Sequence, residues 1–110
     1  MTLAEWQDWV RRFDAERGWE EVAPEHTALH LVEELGEVAR ELLRLSAYKR
    51  GGPRLGEEMA DFLLLFFKLA NQVGVDLEEA LRAKAEELEA RFPVEESRRE
   101  IARYRARNED

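Results

Sequence analysis

Apolar and polar positions alternate along most of the chain with a period near 3.6, which predicts helices throughout. Thr2 followed by Glu5 offers a capping box, so a first helix is expected from about Thr2 to Arg17, with Gly18 closing it. Pro24 suits the first turn of a second helix reaching about Ala47, and "KRGGPR" interrupts the pattern. A third helix is expected from Leu55 to Val73 and a stop at Gly74. Asp76 with Glu79 offers another capping box, for a fourth helix to about Arg91. Pro93 punctuates, and a fifth segment, Glu95 to Arg107, is helical by propensity but weakly amphipathic. No segment alternates as a strand does. The expected fold is all-α, a bundle of four helices with an extra C-terminal helix, in one domain: a core over 1–93 and a helical tail over 94–110.

Placing the residues at about 100° steps separates wet faces from dry ones. On the third helix Met59, Ala60, Phe62, Leu63, Leu64, Phe66, Phe67, Leu69 and Ala70 are expected to cover roughly 220° of arc, which marks it as the central helix. Its remaining stripe carries Glu57, Glu58, Asp61, Lys68 and Gln72, with Leu65 among them. On the second helix the apolar arc comprises Leu31, Val32, Leu35, Val38, Ala39, Leu42 and Leu45, and His30, Glu34, Glu37 and Glu41 share an adjacent face. Each of these helices thus carries an acid pair at i, i+3: Glu34 with Glu37, and Glu58 with Asp61.

That spacing alone is weak, because the chain holds 25 acids among 110 residues and most such pairs line a solvated face. The pair on the central helix is more telling. Unpaired charge on a closely packed helix is unfavourable by several kcal/mol, and neighbouring carboxylates repel. A divalent cation held by acids from two helices relieves both. An all-oxygen donor set suits Mg²⁺ or Mn²⁺, whereas a di-iron bundle would want Glu-x-x-His, which is absent.

Charge and composition narrow the partners. The net charge of −8 argues against general nucleic-acid binding and against anionic membranes. There is no cysteine, so disulfides and thiolate ligands are excluded. The N-terminus shows no signal-peptide pattern, and the longest apolar run, "FLLLFF", is too short to span a bilayer, so a cytoplasmic location is expected.

"LHLVEELGEVAREL" followed by "GEEMADFLLLFFKLANQVGVDLEEAL" resembles the MazG-like, all-α NTP pyrophosphohydrolases. Their hallmark is E-x-x-E and then E-x-x-D, here Glu34-x-x-Glu37 and Glu58-x-x-Asp61. The segment "FDAERGWEEVAPEHTALHLVEELGE" is similar to the dCTP pyrophosphatase-like branch, and "KAEELEARFP" to the family's ending. The resemblance spans about Thr2 to Pro93.

It implies hydrolysis of a nucleoside triphosphate to monophosphate and pyrophosphate, Mg²⁺ on Glu34, Glu37, Glu58 and Asp61, and assembly as a homodimer or homotetramer. Under it Glu34 is the residue expected to orient water. Lys84 and Arg91 match basic positions expected to hold the departing phosphates, and Trp6 and Trp19 are candidates for the base. His30 is expected behind the acids or against substrate, and Lys68 either pairs with Asp61 or touches substrate. The "SAYKRGGPR" loop, with Lys49, Arg50 and Arg54, is a candidate cover.

Four departures concern sugar and base rather than phosphate. Leu88 replaces the family's Asn, Leu65 a frequent tyrosine and Arg44 an aromatic; Arg40 stands where a third acid is usual, with Glu41 displaced by one. Base preference is therefore left open. The alternative is a non-catalytic helical interaction module whose acids bind cation for stability; a phosphoribosyl-ATP-type substrate fits the "VEELGE" spacing less well.

Overall fold

The computed structural model describes residues 1–46 and 54–108, and all regular structure among them is helical. The helices are α1 (Leu3–Arg17), α2 (Pro24–Ser46), α3 (Arg54–Gln72), α4 (Leu77–Arg91) and α5 (Val94–Asn108), with a 3-10 turn at Trp19–Glu21 that the sequence pattern did not predict. The loop proposed as a cover, with Lys49 and Arg50, lies outside the described residues. No helix among those described is long and apolar enough to cross a membrane.

Local chemistry explains the boundaries. The Thr2 hydroxyl accepts from the Glu5 amide at 3.1 Å, and the Thr2 amide donates to Glu5 Oε1 at 3.2 Å, completing the capping box. That same backbone bond holds the Glu5 carboxyl below the usual glutamate range. Gly18 closes α1 at φ 71° and Gly74 closes α3 at φ 72°, a left-handed conformation that glycine adopts without a Cβ clash.

The chain forms two compact units, Met1–Leu77 and Glu78–Asp110. In the first, α3 packs against both α2 and α1. Val10, Leu31, Phe67 and Ala70 form its buried apolar centre. The α1–α3 seam is polar and bonded. Buried Gln7 donates to the Val75 carbonyl at 2.6 Å and accepts from the Leu77 amide at 3.1 Å. Asn71 donates to the Gln7 carbonyl at 3.0 Å and accepts from Arg11 at 3.0 Å. Gln7→Ala leaves the Val75 carbonyl and Leu77 amide without these partners, so a loss of about 1–3 kcal/mol is expected in urea unfolding. An unchanged midpoint would show that water replaces the amide freely.

The predicted apolar arcs are less covered than expected. On α2, Leu31 is buried, but Val32, Leu35, Leu42 and Leu45 are exposed, Val32 at 68%. On α3, Met59, Leu63 and Phe66 are exposed as well. The expectation that α3 is enclosed on most sides is thus corrected: within this unit it has two helical partners, which cover only part of so wide an arc.

In the second unit α4 and α5 carry no buried residue. Lys84 and Arg91 both reach Glu87, at 3.2 and 3.6 Å.

Candidate metal centre and adjoining cleft

Glu34 from α2 and Glu58 and Asp61 from α3 each place a carboxylate oxygen within 4.8 Å of the other two. Two of the three sit one turn apart on α3, and the α2–α3 packing brings the third across. Convergence of this kind is unfavourable without a counter-ion, and Glu58 registers it. Its carboxyl is pushed above the usual glutamate range, first by desolvation and then by the charges of Asp61, Glu34 and Glu37. The donor set is all oxygen, which fits a hard divalent cation.

Glu37 lies on the same stretch of α2 but is not among the converging oxygens; its carboxylate is 3.7 Å from Arg40. Glu41, grouped with these acids by the sequence pattern, is instead buried with Arg44 at 3.1 Å. Glu57 is exposed and outside the cluster. His30 Nε2 stands 3.3 Å from Glu34 Oε1, so the ring is placed to orient that carboxylate.

A cleft of about 380 Å³ opens beside the cluster, in the size range of small-molecule sites. Glu34, Asp61 and His30 stand at its polar side, and Trp9, Phe13, Trp19, Leu64 and Leu65 supply its apolar lining. Trp9 stacks on Phe13 (5.0 Å, 24°), and Trp19 meets the Phe13 ring edge-on at 5.8 Å. Lys68 also lines the cleft, 5.7 Å above the Trp19 ring. Of its two expected roles, an ion pair with Asp61 is not formed among the described residues.

Trp19, His30 and Lys68 are therefore brought together with Glu34 and Asp61. Trp6 is not: it rests edge-on against Trp9 at 5.9 Å, and Trp9 takes the cleft position. Trp9, Phe13 and Asp14 were missed in the sequence. The i, i+4 spacing of Trp9 and Phe13 on one face of α1 is the signal that identifies the aromatic wall.

Asp14 is buried, at 7% exposure, and lines the same cleft. Desolvation lifts its carboxyl above the usual aspartate range; Lys68 opposes this, Glu20 reinforces it and Arg17 opposes it. The remaining charged or titratable groups of the cleft are His30 and Glu34 from α2 and Asp61 from α3. Because the folded-state pKa lies above the unfolded one, the folded protein holds this proton more tightly. Stability is full below the ordinary aspartate range and falls as pH climbs through the raised value. Asp14→Asn is expected to flatten that part of the melting-temperature profile and to raise stability at neutral pH. An identical pH profile in the variant would contradict the assignment.

Residues 22–95 match the family described as the MazG nucleotide pyrophosphohydrolase domain. The chain is also 35% identical over 106 residues to the protein called "Uncharacterized protein YvdC" of Bacillus subtilis (strain 168), a match covering 84% of this chain and 97% of that protein. No solved structure matches the chain.

Proposed function

The chain belongs to the MazG nucleotide pyrophosphohydrolase family, and from that premise we propose that it is a Mg²⁺-dependent hydrolase of (deoxy)nucleoside triphosphates that releases monophosphate and pyrophosphate. The observation that carries this reading is the convergence of Glu34, Glu58 and Asp61 at one end of an aromatic-walled cleft. One end suits a cation–phosphate complex and the other a flat ring.

In this reading Glu34, Glu58 and Asp61 hold the cation, and Glu37 completes the donor set from the same helix. Mg²⁺, with Mn²⁺ as a substitute, supplies charge neutralisation on the phosphate oxygens when bound. Glu34 orients a water molecule and takes its proton as the water oxygen attacks the α-phosphorus. The bond from the α-phosphorus to the bridging oxygen breaks, and pyrophosphate leaves with that electron pair. His30, beside Glu34, fixes the angle of the carboxylate. The base is held against the Trp19 ring, with Lys68 beside it in the cleft.

The exposed apolar residues of α2 and α3 support a homodimer or homotetramer, since a second copy laid on this face would cover Val32, Leu35, Leu63 and Phe66. A cytoplasmic, nucleotide-pool role accords with the substrate.

A panel of NTPs and dNTPs with Mg²⁺ tests the activity. Pyrophosphate equal to monophosphate is expected; orthophosphate alone, or no turnover of any nucleotide, would overturn it in favour of a cation-stabilised interaction module.

A further inference from the structure

The second unit holds two helices of 15 residues, α4 and α5, and neither buries a residue. Leu81 and Leu88 on α4, with Phe92 just beyond it, fall on one face, at i, i+7 and i+11. Val94, Ile101 and Tyr104 fall on one face of α5, at i, i+7 and i+10. All six are exposed. Short helices without a shared core are marginal in water, so these faces need a cover.

Charge identifies the cover. α4 carries five glutamates against three basic residues, a net −2, and α5 five arginines against three glutamates, a net +2. Among the described residues none of those five arginines forms an ion pair. Glu78 and Glu89 flank the apolar face of α4 on the same side as Arg98 and Arg105 flank that of α5, so antiparallel packing sets acid against arginine. The two helices are complementary, yet within the chain they do not pack along one another. The junction between them explains why. The Phe92 amide still donates to the Leu88 carbonyl at 2.9 Å, and the Pro93 carbonyl already accepts from the Ser97 amide at 2.9 Å. No residue is left over for the loop of about two to five residues that an antiparallel helix pair needs.

We propose that the second unit is a self-association element: α5 of one copy lies antiparallel on α4 of a second copy, and the reciprocal contact forms across the two-fold axis. Each contact joins an acidic helix to a basic one, and the short junction favours exchange between copies over closure within one. A nucleic acid or an anionic membrane fits α5 less well, because the chain as a whole stands at −8. The proposal does not rest on the hydrolase reading, and its surface is separate from the exposed residues of α2 and α3.

The test exploits the absence of cysteine. One full-length form carries Ile101→Cys, and a second carries Leu81→Cys, Ala85→Cys or Leu88→Cys, so no disulfide can form within a chain. The two are refolded together and oxidised gently. At one of the three positions the mixed disulfide is expected to exceed either like-with-like disulfide by about tenfold, since the bond needs closely apposed backbones. Adding Arg98→Glu and Arg105→Glu to the first form is expected to lower that yield about tenfold. Adding Glu78→Arg and Glu89→Arg to the second is expected to restore it, which also shows that the variants fold. Mixed disulfides at no more than the chance level at all three positions overturn the proposal, and are the result if α5 is covered within its own chain. A yield that the first reversal leaves unchanged, or that the second does not restore, overturns it too, as does a wild type that is monomeric by light scattering.

Discussion

Glu58→Gln is expected to lower kcat/KM for nucleoside triphosphates by roughly 100- to 1000-fold while raising the melting temperature of the cation-free protein. The two effects share one cause. Glu58 lies within 4.8 Å of two other carboxylates, and its raised pKa reports the desolvation and repulsion that ionisation meets there. The amide keeps the shape and removes the charge, so the empty site relaxes. With its charge gone the site holds a cation less tightly, so the stabilisation of the wild type by added Mg²⁺ should shrink in the variant. A residue important only for packing would lose stability and activity together; opposite signs mark a ligand. A variant within threefold of wild-type activity would remove Glu58 from the site.

Phe67→Ala is expected to lose about 3–5 kcal/mol of stability, with a fall in melting temperature on the order of 15 °C. Phe67 is 2% exposed, the least accessible residue of the apolar centre around α3. Among the described residues few others compensate: Val10, Leu31 and Ala70 complete that buried set. A total stability in the usual range of about 5–15 kcal/mol leaves little margin after such a loss. Since α3 also carries Glu58, Asp61 and Lys68, disorder there would reach the site. A loss below about 1 kcal/mol, read by differential scanning calorimetry, would show that the centre lies elsewhere.

The helices were legible because their ends are written locally. Thr2 with Glu5, Gly18, Pro24, Gly74 and Pro93 each act through groups a few residues away, and the observed boundaries fall within a residue or so of those they predict. The acid cluster was legible in part. The i, i+3 pairs place Glu58 beside Asp61, but which α2 acid meets them depends on helix packing. The structure brings Glu34 into the group, leaves Glu37 near Arg40 and buries Glu41 with Arg44. Periodicity also reports only that a face is apolar, not what covers it. Val32 and Leu35 therefore read as core, yet they are exposed in the single chain. Asp14 was hidden for a further reason: nothing local distinguishes it from the other acids until α1 is laid along α3. The choice of Trp9 over Trp6 has the same origin, since both are aromatic and only one turns to the cleft.

Hydrolysis of a nucleoside triphosphate in ¹⁸O-enriched water, with Mg²⁺ present, tests the central claim most directly. Attack at the α-phosphorus beside Glu34, Glu58 and Asp61 is expected to place the label in the monophosphate and to leave the pyrophosphate unlabelled. Label in the pyrophosphate or in released orthophosphate, or no turnover at all, would contradict it.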